Sequence, residues 1–99
     1  MLIIIERIDK MSNYYSTIDN ITLTFSNIYT ENSVEVVDVR FERPSEKGFD
    51  FAEGKIPHFM FNKTCGFTDD ELLYFEKYLK NNASLIWDIA REKGGAYNA

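Results

Sequence analysis

The sequence predicts an α+β domain: an antiparallel sheet of about four strands, with one or two C-terminal helices packed on one face. Three observations carry that expectation. Apolar and polar residues alternate in "VEVVDVRFE", the period of a half-buried strand. A helix-start signal stands at "FTDDEL", ahead of apolar residues spaced at helical intervals. Strand-like segments come first along the chain and helical ones last, an order that suits a sheet with helices segregated to one side.

Leu2 to Ile8 is β-branched and apolar enough for a strand, whereas "SNYYST" reads equally as strand or loop. Ile21, Leu23 and Phe25 alternate with Thr22 and Thr24, a second strand. "SNIYTENS" supplies turn chemistry through Asn27, Asn32 and Ser33. Next, Val37, Val39 and Phe41 share one strand face, and Asp38, Arg40 and Glu42 share the other, which should be wet. "RPSEKG" is expected to break this strand at Pro44, because proline donates nothing to a ladder. Phe49 and Phe51 fit a short strand or a loop rim. In "IPHFMF", strand parity puts Pro57, Phe59 and Phe61 on one side and Ile56, His58 and Met60 on the other.

The helix prediction is the sharpest. Thr68 as N-cap and Glu71 three residues on form a capping box, with Phe67 and Leu72 as hydrophobic staple. Asp69, Asp70 and Glu71 sit where the helix dipole favours negative charge. Leu72, Phe75 and Leu79 make the apolar stripe, widened by Tyr78, over about Asp69 to Lys80. Asn81 and Asn82 either break the helix, Asn82 capping a second one, or lie within a single helix. Leu85, Ile86, Ile89 and Ala90 continue the apolar face; Gly94 and Gly95 should stop it, with a loose tail beyond. The stripe of Leu72, Phe75, Leu79, Ile86 and Ile89 is expected to meet Val37, Val39, Phe41, Phe59 and Phe61.

The 99 residues, 44% hydrophobic and 27% charged, make one domain spanning 1–99 rather than a disordered chain. A net charge of −5 weighs against non-specific binding to nucleic acid or an anionic membrane. No stretch approaches the ~20 apolar residues of a membrane helix. "MLIIIERIDK" is too short in its apolar run for a signal peptide, so the cytoplasm is the expected compartment; Met1 and Met11 are both candidate starts. The Asn-x-Ser/Thr triplets at Asn20, Asn62 and Asn82 then carry no glycan.

"IPHFMFNKTC" holds the chain's only histidine and only cysteine. Cys65 as nucleophile needs a base and a positive surround; Lys63 and the helix start supply field that Asp69 and Asp70 oppose. His58 is a candidate acid or base, or else a hydrogen-bonded side chain beside Ile56 and Met60. One Cys and one His supply at most two ligands of a zinc site, and the adjacent acids 69–71 point about 100° apart on a helix, so no metal or other cofactor is expected. The charged run "RFERPSEKGFDFAEGK" offers Arg40, Arg43, Lys47 and Lys55 to an anion, against Glu42, Glu46, Asp50 and Glu53.

No phosphate loop, catalytic-triad signature or dinucleotide fingerprint is present, which points away from an enzyme. The leading expectation is a small protein-interaction module that binds a protein partner or a second copy of itself. Ile56, Met60, Tyr14, Tyr15 and Tyr29 are the candidates for its apolar patch. One alternative is a small hydrolase or nuclease using His58 with Arg40 or Arg43 as anion holder. Another is an acidic inhibitor of a nucleic-acid-binding protein.

Overall fold

The computed structural model describes residue 11 and residues 13–98. Six antiparallel strands are followed by one helix: β1 (Asn13–Ile18), β2 (Ile21–Phe25), β3 (Tyr29–Glu31), β4 (Val34–Ser45), β5 (Gly48–Ile56), β6 (Phe61–Cys65) and α1 (Asp69–Asn98). The α+β expectation holds, with six strands where about four were predicted and one helix. The strand expected at Leu2–Ile8 lies outside the described residues. Among the described residues no helix is long and apolar enough to cross a membrane.

The sheet order is β1-β2-β4-β5-β6, with β3 also paired to β4. Phe25 faces Val39 and Tyr29 faces Val36, so the three residues 26–28 oppose the two residues 37–38. β2 and β3 are therefore one long strand interrupted by a bulge, and the sheet is a simple meander. Two hairpins close through two-residue turns whose central residues all have positive φ: Asp19 and Asn20 (53° and 70°), then Asn32 and Ser33 (51° and 66°). This mirror-image turn matches strand twist, and Asn and Asp tolerate it better than most residues.

Pro44 does not end its strand. It lies inside β4 opposite Phe49, but pairing with β2 has already stopped at Glu42. One side of β4 is open at that point, which is where a sheet accepts proline. The "IPHFMF" segment departs further from its predicted strand. β5 ends at Ile56, the Ile56–Pro57 peptide is cis, Pro57 and His58 form a turn, and Phe59 has φ 61°. The turn undoes the expected parity: Ile56 is buried, while Met60 projects into solvent at 76% exposure. Gly54 makes this close return possible, since a Cβ there would lie 2.5 Å from the Met60 carbonyl oxygen.

α1 opens as predicted. The Thr68 amide donates to Glu71 Oε1 at 2.9 Å, and the Glu71 amide donates to Thr68 Oγ1 at 3.1 Å. Asn81 and Asn82 do not interrupt the helix. Asn82 Nδ2 donates to the Tyr78 carbonyl one turn back, and its Oδ1 accepts from the Tyr15 hydroxyl at 2.7 Å, so the residue clips α1 to β1. Leu79, Ala83, Ile86 and Ala90 carry one apolar face straight through. Gly94 and Gly95 do not stop the helix either, which runs to Asn98 through the tail expected to be loose; each glycine costs it about 1 kcal/mol relative to alanine.

The core lies between α1 and one sheet face. Val37, Val39 and Phe41 of β4 point into it with Leu23, Phe25, Ala52 and Ile56, against Phe75, Leu79, Ile86 and Ala90. Phe59, Phe61, Leu72 and Ile89 pack at its margin, so the predicted stripe and sheet rows do meet. Phe41 and Phe75 stack with ring centroids 4.3 Å apart, and Phe67 meets Phe75 edge-on at 4.8 Å. Burying a ring such as Phe75 contributes roughly 2–3 kcal/mol.

Candidate functional site

Strand parity separates the two arginines proposed as anion holders. Arg40, like Asp38 and Glu42, points away from α1; Arg43 points toward it. Both are already engaged. Arg40 Nε donates to Glu42 at 2.7 Å, its Nη1 donates to Glu53, and its guanidinium lies 4.6 Å from the Phe51 ring centre. Arg43 donates to Asp50 and to Glu71, at 2.7 Å in each case, and lies over Phe67 at 4.6 Å. Those acids bind each guanidinium in a fixed geometry, and neither is turned toward a shared cleft.

His58 sits exposed in the β5–β6 turn, and its side chain makes no hydrogen bond or ion pair among the described residues. Cys65 is exposed at the end of β6, opposite Phe51, on the face turned from the helix. Among the described residues no hydrogen bond or ion pair joins His58, Cys65, Arg40 or Arg43 to one another, so the acid–base and nucleophile candidates are not assembled into one site. Among the described residues no three His, Cys, Asp or Glu side chains are grouped to hold a metal ion.

The five residues expected to form an apolar patch also scatter. Ile56 is core, because the β5–β6 turn begins only after it. Tyr15 packs edge-on against Phe25 and Tyr78, and burial pushes its hydroxyl above the usual tyrosine range. Tyr29 is half-buried and donates to Asp38 Oδ1 at 2.7 Å; burial, then that bond, raises it as well. Only Tyr14 and Met60 stand mainly in solvent, at opposite edges of the sheet.

The face turned from α1 is not the wet surface predicted. Asp38 is buried, and the Arg40 and Glu53 side chains keep only 14% and 15% of their exposure. The charges pair across strands: Arg40 with Glu53, and Lys55 with Glu31 of β3 at 2.8 Å. Lys55 is held well above the ordinary lysine range, first by Glu31 and then by Tyr29. Mutual neutralisation is what allows charged residues to be partly desolvated.

A concave apolar site does form, in a place the sequence did not mark. The β1–β2 hairpin and the first half of α1 diverge to leave a cleft floored by Leu23, Phe41 and Phe75. Ile18 and Tyr74 stand on its rim, 46% and 59% exposed, and Tyr74 stacks on Tyr78 with centroids 6.5 Å apart. Ser16 Oγ and Tyr78 Oη lie 3.0 Å apart along its wall, and Asp19 is its only charged lining residue among the described residues. Tyr78 was legible in the sequence as a widening of the helix stripe. Ile18 was not, because "SNYYST" has no clean alternation. Comparison of the chain with protein-family models, with curated proteins and with solved structures gives no match.

Proposed function

We propose that the chain is a small protein-interaction module, and that the cleft between the β1–β2 hairpin and α1 receives an apolar side chain from a protein partner or a second copy of itself. One observation carries this reading: Ile18 and Tyr74 remain about half exposed beside a floor of buried Leu23, Phe41 and Phe75. A soluble domain gains nothing from leaving an aliphatic and an aromatic side chain at the mouth of an apolar cleft, whereas a partner that covers them gains their burial. The aromatic share of the rim suits an interface anchor, and the −5 charge keeps the uncovered protein dispersed.

The test is sedimentation velocity across a wide concentration range, together with capture of partners from native lysate by wild type and by Ile18→Asp. Self-association in the micromolar range, about −8 kcal/mol, is expected to disappear in the variant, or else a captured protein is expected to be lost. A protein that stays monomeric at the highest concentration and captures the same proteins with and without Ile18 would overturn the proposal.

A further inference from the structure

A second groove lies at the other end of the molecule, between the β5–β6 turn and the second half of α1. Its walls are Pro57, Phe59, Ala83 and Trp87, with Glu35 and Asp88 on the lip, and this open groove offers about 370 Å³. That volume lies within the range of roughly 300–1,000 Å³ in which proteins bind small molecules. We infer that this groove binds a small organic ammonium ion, its charge held between the Trp87 ring and the Asp88 carboxylate and its hydrocarbon body laid on Pro57 and Ala83.

The argument begins with the rings. Two cations of α1 already stand over them: the Arg91 guanidinium 5.8 Å from the Trp87 ring centre, and the Lys80 ammonium 5.9 Å from that of Phe59. Indole and phenyl faces attract cations through their quadrupole, and recognition of alkylated ammonium groups by aromatic walls is the common use of that attraction. Charge on the lip agrees. Among the described residues the groove is lined by two carboxylates and no cation, with Arg91 and Lys80 flanking it. Glu35 accepts from Arg91 at 2.8 Å, while Asp88 is exposed and has no ion pair or hydrogen bond among the described residues. The backbone adds an independent sign. Phe59 is a bulky residue in the left-handed region, φ 61°, with its amide held by the Lys55 carbonyl at 2.8 Å. Residues of that kind are uncommon there, and such outliers gather at ligand sites.

Trp87 is the chain's only tryptophan, so its fluorescence reports on this groove alone. The full chain is titrated at constant ionic strength with benzyltrimethylammonium, with benzyl alcohol as the neutral counterpart and phenylacetate as the anionic one. A saturable change in emission is expected with the ammonium ion, at least about tenfold weaker binding of the alcohol, and none of the acid. Asp88→Asn, on the exposed face of α1, is expected to weaken the ammonium ion about fivefold with the fold intact. Non-saturating quenching, equal responses to all three compounds, or an unchanged affinity in Asp88→Asn would overturn the inference. So would a saturable response to a short lysine-containing peptide with none to benzyltrimethylammonium, since that assigns the groove to a protein side chain. This site shares no lining residue with the Ile18–Tyr74 cleft, so the two proposals stand or fall separately.

Discussion

From Val37 to Glu42 the two faces of β4 differ by one residue in register and by everything in chemistry. Toward α1, Val37, Val39 and Phe41 pack against Phe75, Leu79 and Ile86 with no polar group to satisfy. Away from α1, Asp38, Arg40 and Glu42 lie among Tyr29, Glu31, Phe51, Glu53 and Lys55. Apolar burial is non-directional and rewards any filling of space. A charged layer is directional: each group is tolerated because a particular partner faces it, and losing one partner penalises the other. The first face should therefore set how stable the fold is, and the second which strand register it adopts.

The sharpest way to break this contrast is Phe75→Ala. Phe75 is stacked on Phe41 and touched edge-on by Phe61 and Phe67, so truncation removes a ring and leaves a cavity the aromatic cluster closes poorly. A loss of about 4 kcal/mol is expected in urea unfolding, a large share of what a domain this size has to lose. A loss under about 1 kcal/mol would show that α1 is not the lid of the core.

Next in size is Arg40→Met, which keeps most of the side-chain volume and deletes the charge facing Glu42 and Glu53. The pair is partly solvated, so a loss of about 2 kcal/mol is expected, below the 3–5 of a fully buried pair. Adding Glu53→Leu should recover most of it, because the uncompensated acid is then gone as well. If the double variant is as unstable as the single one, the charged layer contributes to stability itself and not only to register.

These faces also mark how far the sequence could be read. The alternation in "VEVVDVRFE" was enough to place the β4 core row and its charged row, because a pleat has only two sides. The same pattern continues into "RFERPSEKGFDFAEGK", where the sequence predicts a strand break at Pro44 and a charged run open to an anion. The stretch is a hairpin, and its balanced charges are cross-strand partners: Arg43 with Asp50, Arg40 with Glu53. Proline obscured it, since Pro44 is harmless only where β2 has already ended, a tertiary fact. The β5–β6 turn was hidden for a similar reason: the tight return at Gly54 and the left-handed Phe59 depend on chain packing, not on local propensity. The cleft at Ile18 and Tyr74 needed the β1–α1 distance, which no single segment encodes. The helix start, by contrast, is governed by residues three apart, and there the sequence sufficed.

That local signature yields the smallest effect and the one with a pH dependence. The Thr68 amide, and after it Arg43, hold the Glu71 carboxyl below its ordinary value of 4.5. A carboxyl whose folded value is depressed stabilises the fold wherever it is ionised in both states, and loses that contribution as pH falls from about 4.5 through the lower folded value. Glu71→Gln should thus cost about 1 kcal/mol at pH 7, and the gap from wild type should close on acidification. Arg43→Met tells the two partners apart, since the Thr68 amide is backbone and survives a side-chain change there. If the capping bond dominates, adding Glu71→Gln to the Arg43→Met protein should still cost nearly its full amount in urea unfolding. Should little further loss appear in that background, the depression belongs to Arg43, and the start of α1 is fastened chiefly by the one arginine that β4 turns toward the helix.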